Sequence, residues 1–231
     1  GSTKGFVVGQ YELAKKEVKA VSSQTESASQ GNYSIVNRVI YLDAGHGGKD
    51  PGASYFGENE KTLNLQMQEL VKARLENAGY RVITTRVDDT FVDLIDRSKH
   101  VNSTNSDLFL SLHFNAGPST SNGIETYYYE YDANYPSRIN QKYHNNSERL
   151  SKSAALASAI QDGTVSATGA KNNGVQRNTF AVLRETTAPA VLVELGYMSN
   201  KEEFSRIRTK SYQEKLANGI VSGINRYYST L

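Results

Sequence analysis

Two histidines and two glutamates draw attention through their surroundings. His46 follows a short apolar run in "YLDAGHGGKDPGA", residues 41–53, where four glycines, two acids and a proline make a loop suited to close backbone approach. His113 alternates with Leu112 and Phe114 in "SDLFLSLHFNA". Glu194 lies inside "AVLVELG", where a carboxylate is costly unless paired or coordinated. Glu60 precedes a helical stretch and is joined to His46 by a short loop. Two imidazoles and one carboxylate around an open position describe a catalytic Zn²⁺ site. Glu194 is then a fourth group, better suited to be a general base than a ligand.

Taken singly, each residue has an ordinary explanation. His46 can be a loop histidine bonded to the glycine-rich backbone. His113 can be a satisfied core histidine. Glu60 can sit at a helix N-terminus, where the dipole favours an acid. Glu194 is the hardest to explain without chemistry. His100, in the helical stretch "DRSKHVN", and His144, in a polar segment, are set aside.

The elements that would position these residues are legible from periodicity. "VNRVIYLDA", "YRVITTR", "SDLFLSLHFNA", "GIETYYYEY" (as a possible edge strand), "NTFAVLRET" and "APAVLVELGYMSN" read as strands. "KTLNLQMQELVKARLENAG" reads as a helix: Leu63, Met67, Leu70, Val71, Leu75 and Ala78 keep the three-and-four spacing, and Gly79 stands where a C-terminal cap belongs. "VDLIDRSKHVNST", "ERLSKSAALASAIQDGTVSAT" and "SYQEKLANGIVSGINRYY" are further helices; Tyr212, Leu216, Ile220, Ile224 and Tyr227 form a stripe on the last. Strands alternating with helices predict a single α/β catalytic domain over residues 34–231, with a largely parallel twisted sheet covered by helices on both faces. Ligands of such sheets bind beyond the carboxyl ends of the strands. His46, Arg86, His113 and Glu194 all fall at or near strand ends, and so at one edge. Residues 131–148 read as a polar insertion, and residues 1–33 as a tag remnant, a short helix and a polar linker that tether rather than build the core.

Composition narrows the function. A net charge of +2 with no dense basic run gives no footprint for nucleic acid. With no Cys, thiol nucleophiles, thiolate zinc sites and disulfides are excluded. No apolar run reaches the ~18 residues of a membrane span. The opening Gly-Ser reads as a cloning remnant, so an upstream signal or anchor is expected to have been removed.

Six segments together resemble the zinc-dependent N-acetylmuramoyl-L-alanine amidases of peptidoglycan. "LDAGHGGKDPGA" is similar to that family's opening metal loop, "ENEKTLNL" to its ligand glutamate at a helix start, and "TTRVDDTFVDLIDRSKHVN" to its Thr-Arg and Leu-x-x-Arg segment. "DLFLSLHFNA", "GIETYYY" and "FAVLRETTAPAVLVELGYMSN" follow in the family's order, with Tyr197 where Phe is usual. The resemblance implies one Zn²⁺ per chain on His46, Glu60 and His113, with Glu194 as catalytic acid/base; the following "KTLNL" favours Glu60 over its neighbour Glu58. It implies cleavage of the amide between N-acetylmuramic acid and L-alanine, an extracellular or cell-wall location in a bacterium, and a protein activator or membrane partner as a possibility. Asn115 and Arg184 are the expected substrate contacts, and Asp43 and Glu125 the expected supports of ligand imidazoles. Two other readings stay open: a zinc carboxypeptidase acting on peptide ends, and a non-catalytic wall-binding module.

Overall fold

Strand β1 (Val39–Ala44) is buried along its whole length, so a sheet built on it needs cover on both faces. The computed structural model, which describes residues 37–231, has that arrangement. The helix and linker expected over residues 1–33 lie outside the described residues. After β1 come a small hairpin, β2 (Ser54–Tyr55) and β3 (Glu58–Asn59), then α1 (Glu60–Asn77), β4 (Arg81–Thr84), α2 (Leu94–Asn102) and β5 (Leu108–Asn115). The chain continues through β6 (Ile124–Tyr129), α3 (Ser147–Thr168), β7 (Asn172–Asn178), α4 (Ala181–Glu185), β8 (Ala190–Tyr197), α5 (Lys201–Ile207) and α6 (Lys210–Ser229). Six strands pair in the order β4-β1-β5-β8-β6-β7. The first four are mutually parallel; β6 is antiparallel to β8, and β7 follows β6.

Strand parity divides the side chains between two cores. Ile40, Leu42, Leu108, Leu110, Leu112, Val191 and Val193 face the larger core with α1, α3 and α6. Tyr41, Phe109, Ala190 and Leu192 face the smaller one, closed by Val101 of α2 and Val182 and Leu183 of α4. On α1 the predicted stripe is buried at Leu63, Met67, Val71 and Leu75, while Leu70 and Ala78 are only partly covered. Gly79 ends that helix at φ +94°, the left-handed conformation a helix terminus needs.

Two expectations are corrected. "NTFAVLRET" is not a strand: its apolar pair Val182–Leu183 packs as the short helix α4, with Glu185 buried behind it. The strand lies just before it, as β7, whose polar sequence "NNGVQRN" carries no apolar alternation because it forms the outer edge of the sheet, where its side chains make polar contacts. For the same reason β6 is not an edge; it is flanked by β8 and β7. Residues 131–146 form turns and irregular backbone without helix or strand.

Helices α3 and α6 pack backbone to backbone. A Cβ on Gly163 would stand 2.3 Å from the Gly219 carbonyl oxygen, and one on Gly223 would stand 2.6 Å from that of Ala159. Alanine would favour an isolated helix by about 1 kcal/mol. Overpacking against a backbone that cannot turn aside costs about 1–3 kcal/mol. Gly163→Ala is therefore expected to lower the urea midpoint; a raised midpoint would show that the two helices separate freely.

Candidate active site

Register brings the distant residues together. His113 on β5 pairs with Glu194 on β8, and both share the parity of Asp43 and Ser111, opposite to Leu112 and Phe114. Past the end of β1 the backbone runs against these side chains. A Cβ on Gly45 would fall 2.2 Å from His113 Cε1. Gly52, at φ +65°, would place one 2.5 Å from Glu60 Oε2 and 2.6 Å from His46 Cδ2. Glycine is required at both places because the loop is pressed onto the site. His46 itself adopts φ +62°, a conformation that side chains rarely take without support.

Two buried arginines supply that support. Arg97 of α2 donates to Asp43 Oδ1 at 2.6 Å, the Ala44 carbonyl at 2.9 Å and the His46 carbonyl at 2.8 Å. Arg86, after β4, donates to the carbonyls of Ala44, Gly45, Lys61 and Asp88. From α1, Asn64 reaches the Gly45 carbonyl, and Gln68 bridges the Ala44 N–H and the Arg86 carbonyl. The carbonyls freed where β1 ends are thus satisfied inside the protein.

The result is one compact set of donors. His46, Glu60 and His113 each offer a ligand atom, and these atoms lie within 4.8 Å of one another, a grouping able to hold a metal ion. Glu60 Oε2 is 3.1 Å from His46 Nε2, and Glu60 Oε1 is 2.9 Å from His113 Nδ1. Burial works against a charged His46, but hydrogen bonds and charge from Glu60 and Asp50 outweigh it and raise the imidazole to about 9. Burial likewise opposes ionisation of Glu60, yet the bonds from His113 and His46 hold its carboxyl well below the usual range. Glu194 goes the other way: burial dominates, His113 opposes it, and the negative charges of Glu60 and Glu125 add to it, lifting the carboxyl to about 7. Its Oε2 is sealed from solvent and, among the described residues, has no hydrogen-bond partner.

A cleft of about 440 Å³ opens over these groups, with Phe91, Val92, Leu94, Phe180, Ala181 and Val182 as apolar walls. Among the described residues Arg97 is the one arginine or lysine lining it, and its guanidinium is already bonded to Asp43 and backbone carbonyls. Similarity to known proteins follows this geometry. A family model described as N-acetylmuramoyl-L-alanine amidase matches residues 40–226. The chain belongs to the N-acetylmuramoyl-L-alanine amidase family.

Within that family, the amidase LytC of Bacillus subtilis is 35% identical over 205 residues, which cover 88% of this chain and 38% of LytC. The catalytic domain of CwlV, an amidase from Bacillus (Paenibacillus) polymyxa var. colistinus, is 37% identical with a TM-score of 0.70, covering 82% of this chain and 97% of that one. The CwlD amidase from Clostridioides difficile, solved in complex with the GerS lipoprotein, is 29% identical with a TM-score of 0.73, covering 84% and 100%.

Not every residue singled out in the sequence takes the place expected of it. Asp43 bonds Arg97 and Ser111, not an imidazole, because its position on β1 points it at α2. Glu125 accepts from Asn115, Tyr127 and Tyr197, two strands away from the nearest imidazole's support. Asn115 is occupied by that bond and by the Ala116 N–H. Arg184 donates to Glu185 and to the Thr179 carbonyl and does not line the cleft. Arg86 holds carbonyls of the loop and offers nothing to a ligand. The carboxylate that supports an imidazole is Asp50, 2.7 Å from His46 Nδ1; its position four residues on, in the same glycine-rich loop, was the available signal.

Two tests follow. Asp50→Ala removes the partner of His46 Nδ1, and such changes typically weaken metal binding about 10–100-fold. Competition with a chelator should show that loss; unchanged affinity would mean the loop alone orients the ring. The second concerns pH. His46 is raised from an unfolded value near ~6.5 to about 9, so its bond to Glu60 stabilises metal-free protein fully below the unfolded value and is lost as pH rises through the folded one. Melting of chelator-treated protein should therefore fall between about pH 6.5 and 9. A flat profile would show that the imidazoles are already neutral.

Proposed function

We propose that the protein hydrolyses the amide joining the lactyl group of N-acetylmuramic acid to the L-alanine of the peptidoglycan stem peptide, with Zn²⁺ on His46, Glu60 and His113 and with Glu194 as general base and acid. The observation that carries this reading is the sealed, unpartnered Oε2 of Glu194 beside a His-Glu-His donor set. A buried carboxylate oxygen with nothing to bond is costly unless a ligand completes it. The donor set fits zinc: two nitrogens, one carboxylate, room for a fourth position. Bound there, zinc supplies a Lewis acid that polarises water and the scissile carbonyl.

The chain's own residues do the rest. Glu194 faces the site at β8 and receives the proton of the attacking water on Oε2. The same carboxyl, with its ionisation near neutrality, returns that proton to the departing alanine nitrogen. Asp50 fixes the His46 ring, and Asn64 donates to Glu60 Oε1, so both ligand groups are oriented before anything binds. The apolar walls exclude water from the reacting bond. Peptidoglycan as substrate places the enzyme at the bacterial cell wall, outside the membrane. A protein partner is a further part of the proposal, supported by the complex of the CwlD relative with a lipoprotein.

Digestion of purified peptidoglycan tests the reaction. The expected products are stem peptides with a free N-terminal L-alanine and glycan strands left intact. Release of C-terminal amino acids would instead favour a carboxypeptidase. Glu194→Gln keeps shape and hydrogen bonding but cannot accept a proton, so turnover should drop by about 10²–10⁴-fold with metal retained. Glu60→Gln should lose metal and activity together. The opposite pattern of metal loss would exchange the two roles.

A further inference from the structure

The row of acidic and basic groups across the sheet does not stop at Glu194. On the next strand Glu125 stands directly opposite it in the antiparallel ladder, and Glu194 in turn is in register with His113. Adjacent strands lie about 4.8 Å apart, so the three side chains follow one another on the same face. Glu125 is bonded in an uneven way. Asn115 Nδ2 at 2.5 Å, the Tyr127 hydroxyl at 3.0 Å and the Tyr197 hydroxyl at 3.2 Å all donate to its Oε1. Among the described residues none donates to Oε2. Three donors from three strands thus clamp Oε1 of a carboxylate that is 8% exposed and stands behind the lining of the cleft, next to Glu194, with Oε2 left without a donor among the described residues. Tyr127 is itself fixed by edge contact with Phe180 on the cleft wall, ring centroids 5.2 Å apart.

We propose that Glu125 is a substrate-binding residue on the leaving-group side, its Oε2 accepting the N–H of the scissile amide nitrogen and then holding the ammonium of the L-alanyl product. The inference rests on the amidase reading above. The scissile carbonyl must lie at the His46, Glu60 and His113 end of the row. Its nitrogen must lie within reach of Glu194, which protonates it. The next group along the row is Glu125, a pure acceptor, placed where the nitrogen's other hydrogen points. Accepting that hydrogen turns the nitrogen lone pair toward Glu194. As the C–N bond breaks the nitrogen takes the proton from Glu194 and leaves as the amine; the amine then takes a second proton from solvent, and the resulting ammonium faces a carboxylate. Among the described residues Arg97 is the one lysine or arginine lining the cleft, and its guanidinium is committed to Asp43 and backbone carbonyls.

Product inhibition tests the contact. On a soluble N-acetylmuramoyl peptide, wild-type enzyme should be inhibited by the L-alanyl peptide product about tenfold more strongly than by its des-amino (propanoyl) analogue, the scale of a charge-assisted hydrogen bond. Glu125→Gln, with unchanged metal content, should bring the two inhibition constants together and raise KM more than it lowers kcat. A merely structural role for Glu125 would weaken both inhibitors alike and leave their ratio intact, which would overturn the proposal. If Glu125→Gln does not fold, the double variant Tyr127→Phe/Tyr197→Phe loosens the carboxylate and should lower the ratio by about threefold; an unchanged ratio there rejects the contact. Wild-type enzyme that leaves the muramoyl peptide intact overturns the amidase reading itself, a result separate from either ratio.

Discussion

The Glu60 carboxylate is the point on which the site converges. It is 5% exposed, and both of its oxygens are engaged. Oε1 meets His113 Nδ1, Asn64 Nδ2 and the Phe114 N–H; Oε2 meets His46 Nε2 and the Ala53 N–H. One side chain therefore ties α1 to the β1 loop and to β5. A carboxylate buried this deeply is tolerated only because every lone pair has a donor. The same arrangement fixes where α1 begins. Its first N–H groups bond the carbonyls of Ala53 and Pro51 in place of a side-chain cap, so the loop and the helix terminus satisfy each other.

Close approach has a cost that other residues offset. His46 sits in the left-handed region, and the chain around it leaves carbonyls pointing inward. Arg86 and Arg97 collect those carbonyls, and Asp43 balances Arg97 across 2.6 Å. These three look like catalytic candidates by residue type, but they act on the backbone. Their role is to hold a strained loop in one conformation, which lets two imidazoles meet a carboxylate without rearrangement on binding.

Glu60 and Glu194 are the same residue type in opposite environments. Donors surrounding Glu60 favour its charged form; burial and neighbouring negative charge disfavour that of Glu194. Environment alone separates a carboxylate held anionic from one able to take and return a proton near neutral pH. Parity on β5 and β8 makes the separation possible, since it sets His113 and Glu194 side by side and sends Leu112, Phe114, Val193 and Leu195 into the opposite core.

By itself the sequence determined the parallel core and its main helices, because apolar alternation and three-and-four spacing are local. It also marked His46, Glu60, His113 and Glu194, because polar groups at strand ends or inside apolar runs conflict with burial unless something answers them. It did not mark β7, an edge strand of polar residues with no apolar alternation, nor α4, whose adjacent apolar residues fit a strand as well as a helix. Nor could it assign partners to Asp43, Glu125 and Arg184. Those depend on which face each side chain takes and which strand lies alongside, and pairing between residues dozens of positions apart leaves no periodic trace in the chain. Only the assembled sheet decided that Asp43 serves an arginine and that Glu125 stands next to Glu194.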